Sequence, residues 1–273
     1  MRELVGKVAV VTGAASGIGR ALALRLAAEG MTLMLADVDH GGLAETAALA
    51  GDGKVLTQIT DVSDAAAVAH LANRCFGELG AVHVLCNNAG VYQGGHMWTR
   101  GEEDFAWLLG VNLWGVLHAV HAFVPRMIEQ DAEGHIVNTV SVAGLFAVSG
   151  SGGYALSKHA ALAASQALAQ DLAAVGAKLR VTALCPGAVR TRIAESERVR
   201  PAILAGSPTQ DEVEALDQVG RAAAGGIEPS EVADLAVQAI REERFLVLSD
   251  PKYAARLRLQ TETLLTGNLP SYQ

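Results

Sequence analysis

A chain of 273 residues with 51% apolar content can bury a sizeable core, either as one large α/β domain or as two small ones. Its net charge of -8 comes with no basic block, which argues against nucleic acid as a partner, because neutralising phosphates takes clustered Lys and Arg; a small anionic cofactor held by backbone amides is compatible with it. Cys75, Cys86 and Cys185 form no CxxC pair and read as buried free thiols of a reducing, cytoplasmic compartment, with no metal site assigned. The longest early apolar run, Val8 to Val11, is far too short to span a membrane, and no secretory pattern opens the chain, so no membrane partner is expected.

Val8 to Thr12 is a short β-branched run that predicts a buried parallel strand. It ends in Gly13-Ala14-Ala15-Ser16-Gly17-Ile18-Gly19, after which Ile18, Leu22 and Leu26 mark an amphipathic helix closed by Gly30. Strand, glycine turn and helix together suit a pyrophosphate at a helix N-terminus. The spacing is T-G-x-x-x-G-x-G rather than G-x-G-x-x-G, because Ala15 takes the middle place. A second strand, Thr32 to Ala36, delivers Asp37, placed to accept hydrogen bonds from the adenosine ribose hydroxyls and to repel a 2′-phosphate. No Arg or Lys stands near it in sequence, since Ser16 fills the turn and Val38-Asp39 follows.

Val55 to Thr60 reads as strand three, ending in Asp61-Val62, and Ser63 is placed to cap a helix through about Glu78. Strand four, Val82 to Cys86, ends in Asn87-Asn88-Ala89-Gly90. A long helix follows from about Glu102 to Gln130 with Asn112 inside it, where an asparagine is a poor helix former. Strand five, Ile136 to Val140, delivers Ser141; a helix then carries Tyr154 and Lys158 to about Val175. Strand six, Leu179 to Leu184, ends at Cys185-Pro186-Gly187-Ala188-Val189-Arg190-Thr191. From Arg192 to Gly226 periodicity fades, which predicts a weakly ordered lid at about 190–226. Pro229 opens another helix, Phe245 to Leu248 is a seventh strand, and a short tail ends the chain. Regular alternation without a linker or repeat predicts one domain over 1–273, a doubly wound parallel seven-stranded sheet with helices on both faces. In such sheets ligands sit at the carboxyl ends of the strands, where all these motifs lie.

Tyr154 and Lys158 stand one helical turn apart, so they share a face. A cation there favours the phenolate and lowers the tyrosine from about 10, which suits a general acid/base. Ser141 arrives from another element, so three polar groups converge.

Thr12-Gly13-x-x-x-Gly17-x-Gly19, Asp61, Asn87-Asn88-Ala89-Gly90, Asn112, Ser141, Tyr154-x-x-x-Lys158 and Pro186-Gly187-x-Val189-x-Thr191 together resemble the single-domain type of the short-chain dehydrogenase/reductase family, with its Rossmann fold, over nearly the whole chain. The resemblance implies NAD as cofactor and an alcohol or ketone as substrate. It implies Tyr154 as acid/base, Ser141 on the substrate oxygen, Lys158 on the nicotinamide ribose, and Asn112 holding a water that links Lys158 to solvent. Gly13, Ser16, Gly17, Ile18 and Gly19 would line the pyrophosphate site, with Asp61 and Val62 at the adenine. Asn88 and Gly90 would lie along the cofactor, and Val189 and Thr191 at the carboxamide. A narrower likeness, in Phe123 to Ile128, Ile193 to Ser196 and Arg200-Pro201-Ala202, points to dehydrogenases of lignin-derived aryl alcohols.

A 3-oxoacyl-thioester reductase is the competing enzyme, and Asp37 speaks against it. A non-enzymatic cofactor sensor would lack Tyr154 or Lys158, and a dehalogenase would lack the glycine turn. Ile193, Val199, Ile203 and Leu204, with Met97 and Trp98, would line a pocket for a mid-sized apolar secondary alcohol, benzylic ones included. Arg192, Arg198 and Arg200 would instead suit an anionic group. Leu113, Val116, Leu117 and Val120 on one helix and Leu162, Leu168 and Leu172 on the next predict a homo-oligomer, taken as a tetramer.

Overall fold

Alternate residues of a strand point to opposite faces, and in this chain both sets are apolar. The computed structural model describes residues 1–51 and 53–270. In β1 (Val8–Thr12), Ala9 and Val11 enter one core while Val8 and Val10 enter the other; in β2 (Thr32–Asp37), Leu33 and Leu35 are divided likewise from Met34 and Ala36. With β3 (Val55–Ile59), β4 (Val84–Asn87), β5 (Gly134–Thr139), β6 (Leu179–Cys185) and β7 (Leu246–Leu248), these strands form one seven-stranded sheet in the order β3-β2-β1-β4-β5-β6-β7. Every neighbouring pair is parallel.

Parallel pairs need crossovers, and the helices supply them. They are α1 (Gly17–Ala28), α2 (His40–Leu49), α3 (Ala65–Leu79), α4 (Glu102–Leu109), α5 (Gly115–Glu129), α6 (Gly152–Ala174), α7 (Gln210–Ala224), α8 (Pro229–Glu242) and α9 (Lys252–Leu265). Leu22 and Leu26 of α1 join Val232, Val237 and Ile240 of α8 on one face of the sheet. Leu71 and Cys75 of α3, Phe123 and Met127 of α5 and Leu172 of α6 fill the other. This is the expected two-sided α/β fold. Strand order reverses between β1 and β4, so a crevice opens above their carboxyl ends.

Several elements differ from expectation. α2 is absent from the sequence reading because Gly41 and Gly42 weaken its first turn; the Gly42 N–H bonds to Asp39 Oδ1 (3.0 Å) and starts it. α3 is capped by Asp64, which accepts from the Ala66 N–H (2.8 Å), and not by Ser63, whose hydroxyl donates to Asp61 Oδ1 (2.6 Å). The long helix is interrupted by a π-helical turn, Gly110–Trp114, that holds Asn112. Glu102–Glu129 is long and apolar enough to cross a membrane by length and composition alone, yet Ala119, Phe123, Val124 and Met127 are packed against the sheet. The segment after Arg192 is ordered, with 3₁₀ turns at Ile193–Val199 and Ala202–Leu204 before α7. α7 escapes a search for large apolar residues because its buried stripe relies on small ones, Ala215 and Ala223 beside Glu212. The terminal segment is the helix α9 and no mere tail; one side of it touches the core through Tyr253 and Leu257.

Of the residues expected to face a second subunit, Val116 and Leu172 are buried, Val120 and Leu168 pack against the second core, and Leu162 packs against the cluster under β7.

Candidate active site

The glycine turn is built for close approach. Gly17 has φ +54°, a region that L side chains rarely adopt. A Cβ on Gly19 would stand 1.9 Å from the Gly13 carbonyl oxygen, so no other residue fits there. α1 has no acidic residue in its first turn, and Ser16, Gly17 and Ile18 present its N-terminus to the cavity.

Asp37 is fixed at both oxygens. Oδ2 accepts from the Ala15 N–H (2.8 Å) and Oδ1 from the Asp39 N–H (3.0 Å), so the carboxylate ties the glycine turn to β2. Two arginines reach its neighbours Ala15 and Asp39 in space, although none is adjacent in sequence. Arg20 donates to the Ala15 carbonyl (2.7 Å), but Glu45 (2.6 Å) and Thr46 (3.0 Å) also hold it. Arg192, from the lid, stands 3.8 Å from Asp39.

Asn88 links β1 to β4 and β5. Its Nδ2 donates to the Thr12 carbonyl (3.1 Å), its N–H donates to Thr12 Oγ1 (3.0 Å), and its Oδ1 accepts from Thr139 Oγ1 (3.1 Å). Asn112 is buried and fully used: Oδ1 accepts from the Val91 N–H, and Nδ2 donates to the Val91 carbonyl and Ser157 Oγ, each at 2.9 Å. Here its side chain is a clamp on the loop after β4. Lys158 Nζ and Asn112 Oδ1 each lie 3.3 Å from where a Gly90 Cβ would be, so Gly90 is the floor above both.

Ser141, Tyr154 and Lys158 converge at the end of β5, as expected. Ser141 Oγ accepts from the Ala143 N–H (3.1 Å), and the Val142 N–H donates to the Pro186 carbonyl (2.9 Å), which holds the serine loop against the end of β6. Lys158 is buried and donates to the Thr139 carbonyl (3.0 Å), 5.8 Å from the centre of the Tyr154 ring. The electrostatics differ from the expectation of a phenol lowered by Lys158. Burial pushes Tyr154 up to about 12, with the Ser141 hydrogen bond pulling the other way, and burial pushes Lys158 down to about 8. Desolvation is the largest influence on both groups, and Lys158 points its hydrogen bond at Thr139.

One cavity of about 490 Å³ brings most of the constellation together. Gly13, Ser16, Gly17, Ile18, Asp37, Asp61, Val62, Asn88, Gly90, Val189 and Thr191 line it, as do Ser141, Tyr154, Lys158 and Ile193. Gly19 and Asn112 lie behind its wall. The groove from Asp37 past the α1 N-terminus to Lys158 fits a dinucleotide: a carboxylate at one end, backbone amides in the middle, and polar side chains with an acid/base at the other.

The short chain dehydrogenase family model matches residues 7–201. The chain belongs to that family of oxidoreductases. A short-chain dehydrogenase/reductase from Burkholderia phymatum in complex with NAD is 44% identical, with a TM-score of 0.97, covering 100% of this chain and 99% of that one. The 1-deoxy-11-beta-hydroxypentalenate dehydrogenase of Streptomyces avermitilis is 41% identical over 220 residues, 78% of this chain and 80% of its own. The CLA biosynthesis dehydrogenase/reductase of Lactiplantibacillus plantarum is 30% identical over 278 residues, 99% of this chain and 97% of its own.

In this short-chain dehydrogenase the lid end of the cavity departs more from expectation. Ile193 and Val199 line the cavity; Ile203 is 90% exposed and Leu204 packs behind the wall, against Val91, Trp107 and Leu108. Met97 and Trp98 do not line it either; Trp98 is 81% exposed and stacks on His96. Arg192 and Arg198 reach the cavity, but Arg200 is spent on structure. It is paired with Asp104 (2.5 Å) and Glu197 (3.1 Å) and lies over the Trp107 ring (4.8 Å). Burial opposes ionisation of Asp104, yet Arg200, Gln93 and the Gly101 N–H hold its carboxyl below the usual range. With a second buried pair, Arg100 and Glu212 (2.6 Å), this bolts the lid to the loop and helix before it. Tyr92, Trp107, Val111, Ser151, Ser196 and Val219 complete the wall and were not singled out from sequence. Of these, only Tyr92, two residues after Asn87-Asn88-Ala89-Gly90, carries a signal, through its nearness to a motif.

Proposed function

We propose that this chain is an NAD-dependent secondary-alcohol dehydrogenase, or ketone reductase in reverse. The observation that carries this is the convergence of Ser141, Tyr154 and Lys158 at one end of a groove whose other end is Asp37. The neighbour from Burkholderia phymatum holds NAD, and the Streptomyces relative is named for a hydroxypentalenate, which supports both halves.

The nicotinamide, when bound, supplies the hydride acceptor or donor. Ser141 Oγ holds the substrate oxygen beside Tyr154 Oη. In oxidation Tyr154 takes the hydroxyl proton as hydride leaves the carbinol carbon; in reduction it returns that proton to the carbonyl oxygen. Because burial raises Tyr154 to about 12, the phenol is protonated at neutral pH and ready for reduction. Oxidation needs the phenolate, so its rate is expected to climb with pH while reduction falls. Lys158, held on Thr139, keeps a positive group beside the ring and is placed for the ribose hydroxyls. Asp37 favours NAD, since a 2′-phosphate would face its charge.

The substrate wall is apolar, formed by Val91, Tyr92, Trp107, Val199 and Val219, which suits a mid-sized secondary alcohol. Arg198 favours a second reading, an anionic group at the mouth: it bonds only backbone carbonyls and has no carboxylate partner among the described residues. Assembly as a homo-oligomer, a tetramer, belongs to the same proposal; Trp114, half-exposed beside the partly exposed Leu113 and Leu117, supports it, and a single-chain mass by light scattering would refute it. The function is tested by incubation with NAD or NADP and a panel of cyclic and aryl secondary alcohols with and without a carboxylate, against acetoacetyl-thioesters with NADH. Turnover of the alcohols with NAD is expected. Turnover of the thioester alone would replace the substrate class while leaving the catalytic residues in place.

A further inference from the structure

Tyr92 follows the loop that ends β4 and is 2% exposed, yet it belongs to none of the large cores. Its ring meets the Tyr154 ring edge-on, with centroids 5.0 Å apart and planes at 63°. Aromatic pairs in this arrangement attract and resist rotation. Both polar ends of Tyr92 are tied to other parts of the site. Its phenol oxygen is 2.8 Å from Oγ of Ser151, the residue just before α6. Its N–H donates to Ser196 Oγ (2.9 Å), and Ser196 donates to the Ile193 carbonyl (2.7 Å) in the lid. A Cβ on Gly94 would reach within 3.0 Å of the same phenol oxygen, so the ring is enclosed from that side as well. Tyr92 also lines the cavity between the lid and Tyr154.

We propose that Tyr92 is a positioning residue for this reaction, its ring setting the orientation of Tyr154 and its two polar ends tying that orientation to the lid and to the start of α6. Tyr154 itself has a phenol free to swing about its side-chain bonds unless something packs against the ring. Lys158 stands at one side of that ring and Tyr92 at another. A substrate oxygen must meet the Tyr154 phenol and the Ser141 hydroxyl together, so a small swing of the side chain about Cα–Cβ, which moves Oη as ring rotation about Cβ–Cγ does not, breaks the geometry. Misplacement by about 1 Å costs on the order of 10²-fold in rate.

This proposal rests on the dehydrogenase reading, so two measurements separate them. Steady-state turnover of a secondary alcohol with NAD is measured for wild type, Tyr92→Phe and Tyr92→Leu. Tyr92→Phe keeps the ring and loses one hydrogen bond, and a drop in kcat of about threefold is expected, the scale of one neutral bond. Tyr92→Leu keeps bulk but loses the aromatic face, and a drop in kcat of about 10- to 100-fold is expected with NAD affinity unchanged. The second measurement is fluorine NMR of protein labelled with 3-fluorotyrosine. The chain has four tyrosines, and the Tyr154 resonance is the one that disappears in Tyr154→Phe. A single sharp Tyr154 resonance is expected in wild type and Tyr92→Phe, and a broadened or split one in Tyr92→Leu. The proposal is overturned if folded Tyr92→Leu keeps wild-type kcat and an unchanged resonance, or if Tyr92→Phe is as impaired as Tyr92→Leu. Should Tyr92→Leu fail to fold, Tyr92→Met takes its place with the same expectations. If wild type turns over no alcohol or ketone, the dehydrogenase reading fails while the fluorine spectrum still decides the positioning of Tyr154.

Discussion

Tyr154→Phe is expected to lower turnover by about 10²- to 10⁴-fold, the range that one positioned proton-transfer group supplies. NAD affinity should change little. The lost atom is the phenol oxygen, while the ring keeps its edge-on contact with Tyr92 and its place beside Lys158. Lys158→Ala should behave differently and damage both turnover and cofactor affinity, because Lys158 spans the Thr139 carbonyl and the groove. Turnover of both variants is compared with cofactor affinity measured by fluorescence of the reduced nicotinamide. Wild-type turnover in Tyr154→Phe would remove the phenol from the chemistry.

Cofactor preference is the second large effect. Wild type should favour NAD over NADP in kcat/KM. Reversing the charge at the end of β2 should shift that ratio by about 100-fold or more, which needs roughly 3 kcal/mol at about 1.4 kcal/mol per factor of ten. The geometry dictates which substitution is informative. Asp37 Oδ2 accepts the Ala15 N–H, so removing the whole group also loosens the glycine turn. Asp37→Asn keeps an acceptor and loses the charge; Val38→Arg adds a cation at a half-exposed residue that lines the cavity. The double variant should gain NADP activity while keeping one of the two backbone bonds at residue 37, whereas Asp37→Ser with Val38→Arg should gain less through a more slackened turn. A wild-type enzyme that prefers NADP would contradict the role given to Asp37.

The strands are legible in the sequence because each is a short apolar run closed by glycine or a polar residue. Buried parallel strands need both faces apolar, and Val8 to Thr12 or Leu179 to Leu184 show that without any partner. The candidate catalytic residues are legible because the chemistry proposed for them demands fixed residue types at fixed separations, as with Tyr154 and Lys158 on one face of α6. Helices made of small residues are not legible in the same way. α7 buries alanines, and α2 begins with two glycines, so neither shows a large apolar stripe. The substrate wall is also hidden, since it depends on which side chains turn inward. Trp98 and Ile203 turn out to solvent, while Tyr92 and Trp107 turn in. The role of Arg200 is equally invisible, because its partner Asp104 lies far away in sequence and meets it only once the lid is folded. Spacing likewise reveals the cation beside Tyr154 but not the depth of burial, which pushes the phenol up.

In oxidation a bound nicotinamide would accept the hydride that leaves the carbinol carbon while Tyr154 takes the hydroxyl proton. Wild-type protein incubated with NAD and a secondary alcohol deuterated at its carbinol carbon tests it directly, by mass spectrometry of the recovered cofactor. Reduced cofactor heavier by one deuterium is expected from wild type, and essentially none from Tyr154→Phe. Reduced cofactor without deuterium, or equal labelling from Tyr154→Phe, would contradict it.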